Sequence, residues 1–201
     1  DNVQAAYQMI KALLKTVPDI KLDRDHTMIV SPDEGGMGRC IYYSSVLGLE
    51  LGMFYKRRNY SVIVNGRNPI EAHEFLGNDI KGKDLILVDD MISSGESMLD
   101  IAAKLKEKGA GRIFIFSTFG LFVEGLEKFD DYYEKGLIDK IFTTNLIYQT
   151  PELLSRDWYC SVNMSKYIAL LIDTLNYDNS ISSLLDPVDR IKNIVSKYEN
   201  N

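Results

Sequence analysis

Short apolar runs recur along the chain, each broken by a polar or glycine-rich stretch and followed by apolar residues at helical spacing. The runs are Thr27 to Val30, Gly52 to Tyr55, Asp84 to Val88, Arg112 to Ser117, Lys140 to Thr143 and Trp158 to Val162. Strands covered on both faces read as unbroken apolar runs, and strands alternating with helices form parallel sheets. The pattern therefore predicts an α/β fold, a mostly parallel twisted sheet with helices on both faces. Ala5, Ala6, Met9, Ile10, Leu13 and Leu14 mark an opening helix, and Cys40 to Leu49 a second. Ser97 to Lys108 turns Leu99, Ile101, Ala102 and Leu105 inward, and its end is signalled by three lysines before Gly109 and Gly111. Ser165 to Leu175 and the stretch from Pro187 through Val195 predict two more. Arg57 to Lys83 shows no clear periodicity and contains Asn65-Gly66, Asn68-Pro69 and Gly77-Asn78. A long irregular segment inside a compact domain is usually functional or mobile, so residues 56–83 are the candidate lid.

At 201 residues and 45% apolar content the chain can bury one good core, and residues 1–201 are expected to form a single domain. A net charge of -6 and a pI near 5.0 give no bulk attraction to nucleic acid or to an anionic membrane. Any phosphate must be held by local geometry. Cys40 and Cys160 lack metal-type spacing and fit a reducing cytoplasm. There is no leader pattern and no apolar run long enough for a membrane span, so a soluble cytoplasmic protein is expected.

In open α/β sheets ligands sit beyond the carboxyl ends of strands, where helix N-termini offer unpaired N–H groups. Asp89 and Asp90 end the apolar strand LILV, and Ser93, Ser94, Gly95, Glu96 and Ser97 form a hydroxyl-rich turn opening a helix. Such a turn can donate to a phosphate, and the acids can bind ribose hydroxyls or act through Mg²⁺. An acidic strand end followed by a serine N-cap fits the same residues. Ser31-Pro32-Asp33-Glu34-Gly35-Gly36 ends the first strand, with Arg39 a helical turn later; it reads as a diphosphate cradle with Asp33 on a metal, or as ordinary turn punctuation. Lys56-Arg57-Arg58 ends the next strand and, without context, reads as a solvated edge. His26 and His73 lie in polar surroundings and read as surface residues, and the phenylalanines from Phe114 to Phe122 as core and rim.

LILVDDMISSGES resembles the phosphoribosyl pyrophosphate signature of type I phosphoribosyltransferases and of ribose-phosphate pyrophosphokinases. SPDEGGMGR resembles a segment of the pyrophosphokinases alone, and KRR resembles their catalytic loop. Thr118 and Gly120 resemble the family's TxG segment near the pentose, Asn145 its strand end, and YDNSISSLL its tail, which is taken as structural. The chain departs from the family at Ser93, where aspartate is usual, at Glu96, where glycine is usual, and in the length of the segment after Lys56.

The resemblance runs from Asp1 to about Leu185 and implies a phosphoribosyltransferase-like fold. It further implies a Mg²⁺-dependent ribose-phosphate diphosphokinase that moves diphosphate from ATP to the C1 hydroxyl of ribose 5-phosphate. Ser93 to Ser97 would hold the 5-phosphate, Asp89 and Asp90 the ribose hydroxyls, and Asp33 the metal. Gly35, Gly36 and Arg39 would face the diphosphate, while Lys56 and Arg58 would stabilise the transferring group. Family members carry two such α/β units and form homo-oligomers, so the chain is expected to be the second unit, lacking the ATP-contacting half. Alternatives are a phosphoribosyltransferase that spends the same sugar diphosphate, or a non-catalytic phosphoribosyl-binding regulator.

Overall fold

The computed structural model describes residues 3–58 and 70–199; the side chains of residues 56–58, 70–73 and 199 also lie outside what it describes. The strands are β1 (Thr27–Ser31), β2 (Glu50–Arg58), β3 (Ile70–Leu76), β4 (Asp84–Ile92), β5 (Ile113–Gly120), β6 (Lys140–Thr144) and β7 (Tyr159–Val162). They form one seven-stranded sheet in the order β3-β2-β1-β4-β5-β6-β7. Every neighbouring pair is parallel except β2 and β3. The chain builds outward from β1 through β2, then crosses back to add β4 on the other side. That reversal opens a crevice beyond the carboxyl ends of β1 and β4, the place where such sheets bind ligands.

The helices are α1 (Ala6–Thr16), α2 (Met37–Leu47), α3 (Glu96–Glu107), α4 (Glu127–Glu134), α5 (Pro151–Leu154), α6 (Ser165–Asn176), α7 (Ser182–Leu185) and α8 (Val188–Glu199). Side chains alternate across a strand, so each apolar run feeds both faces. From β4, Leu85 and Leu87 join Leu99, Ala102 and Leu105 of α3, with Phe129 and Trp158. Ile86 and Val88 face the other way, onto Met9, Ile10 and Leu13 of α1, Cys40 and Tyr43 of α2 and Ile191 of α8. Two fully dry faces explain why the sequence shows unbroken rather than alternating apolar runs.

One sequence expectation needs correction, and two helices carry no signal in the sequence. The segment from Arg57 to Lys83 is not irregular throughout, because β3 lies within it and pairs antiparallel with β2, Phe54 opposite Phe75. As an edge strand β3 buries little: Phe75 packs on Phe54, ring centroids 5.6 Å apart, while Leu76 is exposed, so no apolar run announces it. The middle of the candidate lid, residues 59–69, lies outside the described residues, as do the side chains of Lys56, Arg58 and His73. Helix α4 has no apolar stripe, since Phe129 is its one fully buried residue. Helix α5 is a single turn, capped by the Thr150 hydroxyl and begun by Pro151. Among the described residues no helix is long and apolar enough to cross a membrane.

Candidate active site

β1 delivers the first part of the site. Ser31 is fully buried, and its hydroxyl donates to the Asp33 carbonyl at 2.7 Å. The Asp33 carboxylate turns back to accept the Gly36 N–H through Oδ1 at 2.9 Å. These two bonds fold Ser31 to Gly36 into a tight turn that starts α2 directly at Met37. One turn into α2, Cys40 faces the opposite side and packs in the core. Burial pushes its thiol up to about 11, so it stays protonated, and both Cys40 and Cys160 are free.

β4 delivers the second part. Gly95, in the left-handed region at φ +82°, turns the chain from the strand end into α3. A Cβ at Gly95 would lie 2.2 Å from Cζ of Phe129, so α4 sits directly beneath the turn. The loop after β5 braces it further. Leu121 N–H donates to the Ile92 carbonyl at 2.8 Å and Val123 N–H to the Ser93 carbonyl at 3.1 Å. Between them, Phe122 is held at φ +47°, an unusual conformation for a bulky residue. Its ring is locked against Phe129, Trp158 and Tyr159 at centroid distances of 5.0, 5.9 and 6.0 Å. Packing on three sides over-determines the strained backbone, which in turn fixes the turn above it.

Arg39 joins the two parts across the crevice. Nη1 lies 3.3 Å from Asp89 Oδ1 and Nη2 3.3 Å from Asp90 Oδ2. The Asp90 N–H also donates to Asp89 Oδ1 at 2.8 Å. A cleft of about 650 Å³ opens here, with Gly35, Arg39, Asp89, Asp90, Ser117 and Thr118 among its walls. The structure thus brings Gly35, Arg39, Asp89 and Asp90 to one cavity. Asp33 and the Ser93 to Ser97 turn lie at the same end of the sheet without lining that cavity. Lys56 and Arg58 end β2, two strands from β4, where a register shift interrupts pairing between Arg57 and Arg58.

Thr118 lines the cleft, and its carbonyl accepts the Thr144 hydroxyl at 2.6 Å. Asn145 accepts the Met164 N–H at 2.8 Å and so ties the end of β6 to the start of α6. His26 is exposed against Asp23, with Nδ1 2.7 Å from its carboxylate. Sequence reasoning missed the apolar half of the cleft, supplied by Ala6 and Met9 of α1 and by Met164 and Ile168 around α6. Those residues show only ordinary helical spacing, indistinguishable from core.

Burial pushes the Asp89 carboxyl up to about 6, and the Asp90 carboxylate adds to this, while the Asp90 N–H and Arg39 pull it down. The ordinary value is 3.8, so between these two the folded protein keeps a proton that the unfolded chain has released. Stability from this group is complete below about pH 4 and is lost as pH rises through about 6. Asp89→Asn is therefore expected to raise unfolding free energy by about 1 to 2 kcal/mol at pH 7.5, with the gain shrinking toward pH 4.5. Urea titrations at both pH values check this, and an equal gain at each would exclude the titration of Asp89 as its source.

The crevice at the strand reversal, the tight glycine turn after β1 and the serine turn after β4 define an open, mostly parallel α/β sheet with a ligand cleft at its switch point. A model of the phosphoribosyl synthetase-associated domain matches residues 61–186, and the chain belongs to that family. It is similar to ribose-phosphate pyrophosphokinases of Vibrio parahaemolyticus, 28% identical over 163 residues, and Ureaplasma parvum, 31% identical over 173 residues. These alignments cover 81% and 86% of this chain but 49% and 48% of the relatives. The chain thus spans about half the length of the curated relatives it matches. In fold it resembles the crystal structure of phosphoribosylpyrophosphate synthetase from Mycobacterium smegmatis. The TM-score is 0.69 at 20% identity, covering 87% of this chain and 51% of that one.

Proposed function

We propose that this chain carries the ribose 5-phosphate site and the transfer loop of a Mg²⁺-dependent ribose-phosphate diphosphokinase. The reaction moves diphosphate from ATP to the C1 hydroxyl of ribose 5-phosphate, releasing AMP and phosphoribosyl pyrophosphate for nucleotide synthesis. The observation that carries this reading is Arg39, which holds the strand-end turn of β1 and the acid pair of β4 to one cleft. A site that only recognises the sugar phosphate needs the β4 turn; joining SPDEGG to it adds a place for a diphosphate.

Asp89 and Asp90 accept the ribose hydroxyls, and the turn from Ser93 to Ser97 offers backbone and hydroxyl donors to the 5-phosphate at the start of α3. Gly35, Gly36 and Arg39 face the diphosphate. Lys56 and Arg58 neutralise the group in flight, in a reaction where positioning and charge stabilisation do most of the catalysis. Asp33 fits Mg²⁺: Oδ1 is engaged by Gly36, Oδ2 has no partner among the described residues, and Mg²⁺ takes one or two carboxylates and completes its shell from substrate oxygens and water. No cluster of three or more acidic, histidine or cysteine side chains suited to a metal occurs among the described residues. When bound, the ion supplies charge neutralisation on the diphosphate.

On this reading the adenine contacts come from a second α/β unit, and the protein works as a cytoplasmic homo-oligomer. The exposed Ile172 and Leu175, three residues apart on α6, offer an apolar face for such assembly. The test is AMP release from ATP plus ribose 5-phosphate by the full-length protein, run beside base-dependent diphosphate release from phosphoribosyl pyrophosphate. The first activity is expected; the second in its place would overturn the proposal in favour of a phosphoribosyltransferase.

A further inference from the structure

Glu96 places a carboxylate inside the turn assigned to a phosphate, where like charge opposes binding. Its position is the first residue of α3, and its N–H lies 3.5 Å from the Ser94 hydroxyl. The side chain is not left facing that turn alone. Glu96 Oε1 is 2.9 Å from Nζ of Lys128, and the same ammonium lies 2.8 Å from Glu124 Oε2. Lys128 thus sits between two carboxylates, which hold it above the usual lysine range.

Lys128 belongs to α4, and α4 is fixed to the turn by a second, independent contact. Phe129, the next residue, is fully buried and fills the space under Gly95 so closely that a Cβ there would overlap it. The Phe129 ring stacks on Trp158 at 5.5 Å and 25°, and Trp158 Nε1 donates to Asp130 Oδ1 at 2.7 Å. Two consecutive residues of α4, Phe129 and Asp130, therefore lock the helix in place, and Lys128 is presented to Glu96 by a rigid base. Glu124, four residues before Lys128, steadies the ammonium from its other side.

From this geometry we infer that Lys128 is a positioning residue for the phosphate turn. It draws the Glu96 carboxylate onto α4 and offsets its charge, so that a phosphomonoester dianion can use the donors of Ser93 to Ser97. The inference rests on the sugar-phosphate reading of that turn. It also assigns the pair a joint role: Glu96 is tolerated because Lys128 is there, and neither residue acts through contact with the reacting atoms.

The experiment is a titration of the chain with ribose 5-phosphate, followed by calorimetry, for the unmodified protein and for Lys128→Ala, Lys128→Arg, Glu96→Gln and the Glu96→Gln/Lys128→Ala double variant. Removing the cation beside an exposed carboxylate is expected to weaken binding by about tenfold at low salt, and by less at high salt where the repulsion is screened. Lys128→Arg should bind within about twofold of the unmodified chain, since the charge is kept. The double variant should return to within about twofold of Glu96→Gln alone, because Lys128 has no task once the carboxylate is gone. A general structural role for Lys128 would not give that rescue. Unchanged affinity in Lys128→Ala, or a double variant as weak as Lys128→Ala, overturns the inference while leaving the sugar-phosphate reading intact. Failure of the unmodified chain to bind ribose 5-phosphate overturns that reading, and the inference falls with it.

Discussion

Gly95→Ala is expected to destabilise the protein by about 2 to 5 kcal/mol and to abolish measurable ribose 5-phosphate binding. Two costs add. An alanine at φ +82° suffers the steric penalty of left-handed backbone, about 1 to 2 kcal/mol, and its methyl must displace Phe129, a fully buried ring. Gly48 separates the two. It sits at φ +69° at the end of α2, yet nothing lies within 4 Å of where its Cβ would be. Gly48→Ala should therefore show the backbone cost alone, about 1 to 2 kcal/mol. Urea denaturation of the two variants side by side measures the difference, and equal losses would show that α4 does not press on the turn.

Lys56→Ala is expected to reduce diphosphate transfer by the full-length protein by two to three orders of magnitude, on the order of 3 to 4 kcal/mol of transition-state stabilisation. Ribose 5-phosphate affinity should stay within about twofold, because the residue ends β2 rather than the β4 turn. Arg58→Ala should behave alike. AMP formation measured against ribose 5-phosphate binding decides the matter: normal turnover, or parallel loss of both, removes Lys56 from the transfer step.

Much of the sheet was readable in advance, because β1, β4, β5 and β6 are buried on both faces and no other element gives so continuous an apolar run. β3 was not, since an edge strand with Phe75 inward and Leu76 outward carries no such run. The strand ends were also read short. β4 continues through Asp89 and Asp90 to Ile92, because pairing with β5 runs on to Gly120 although the residues turn polar. For the site, strand-end position pointed to Asp33, Arg39, Asp89 and Asp90. It could not show that Arg39 spans both acids, a contact across fifty positions of sequence. Nor could it find Lys128, which stands in an ordinary charged stretch and gains meaning only from the folding of Phe129 under Gly95.

The floor of the serine turn has one further property. Trp158 is the chain's one tryptophan, and its indole stacks on the ring that supports Gly95. Intrinsic ultraviolet emission is therefore a built-in gauge of that turn. A change in spectrum or lifetime on adding a sugar phosphate reports the turn settling on its ligand, in real time and without any label.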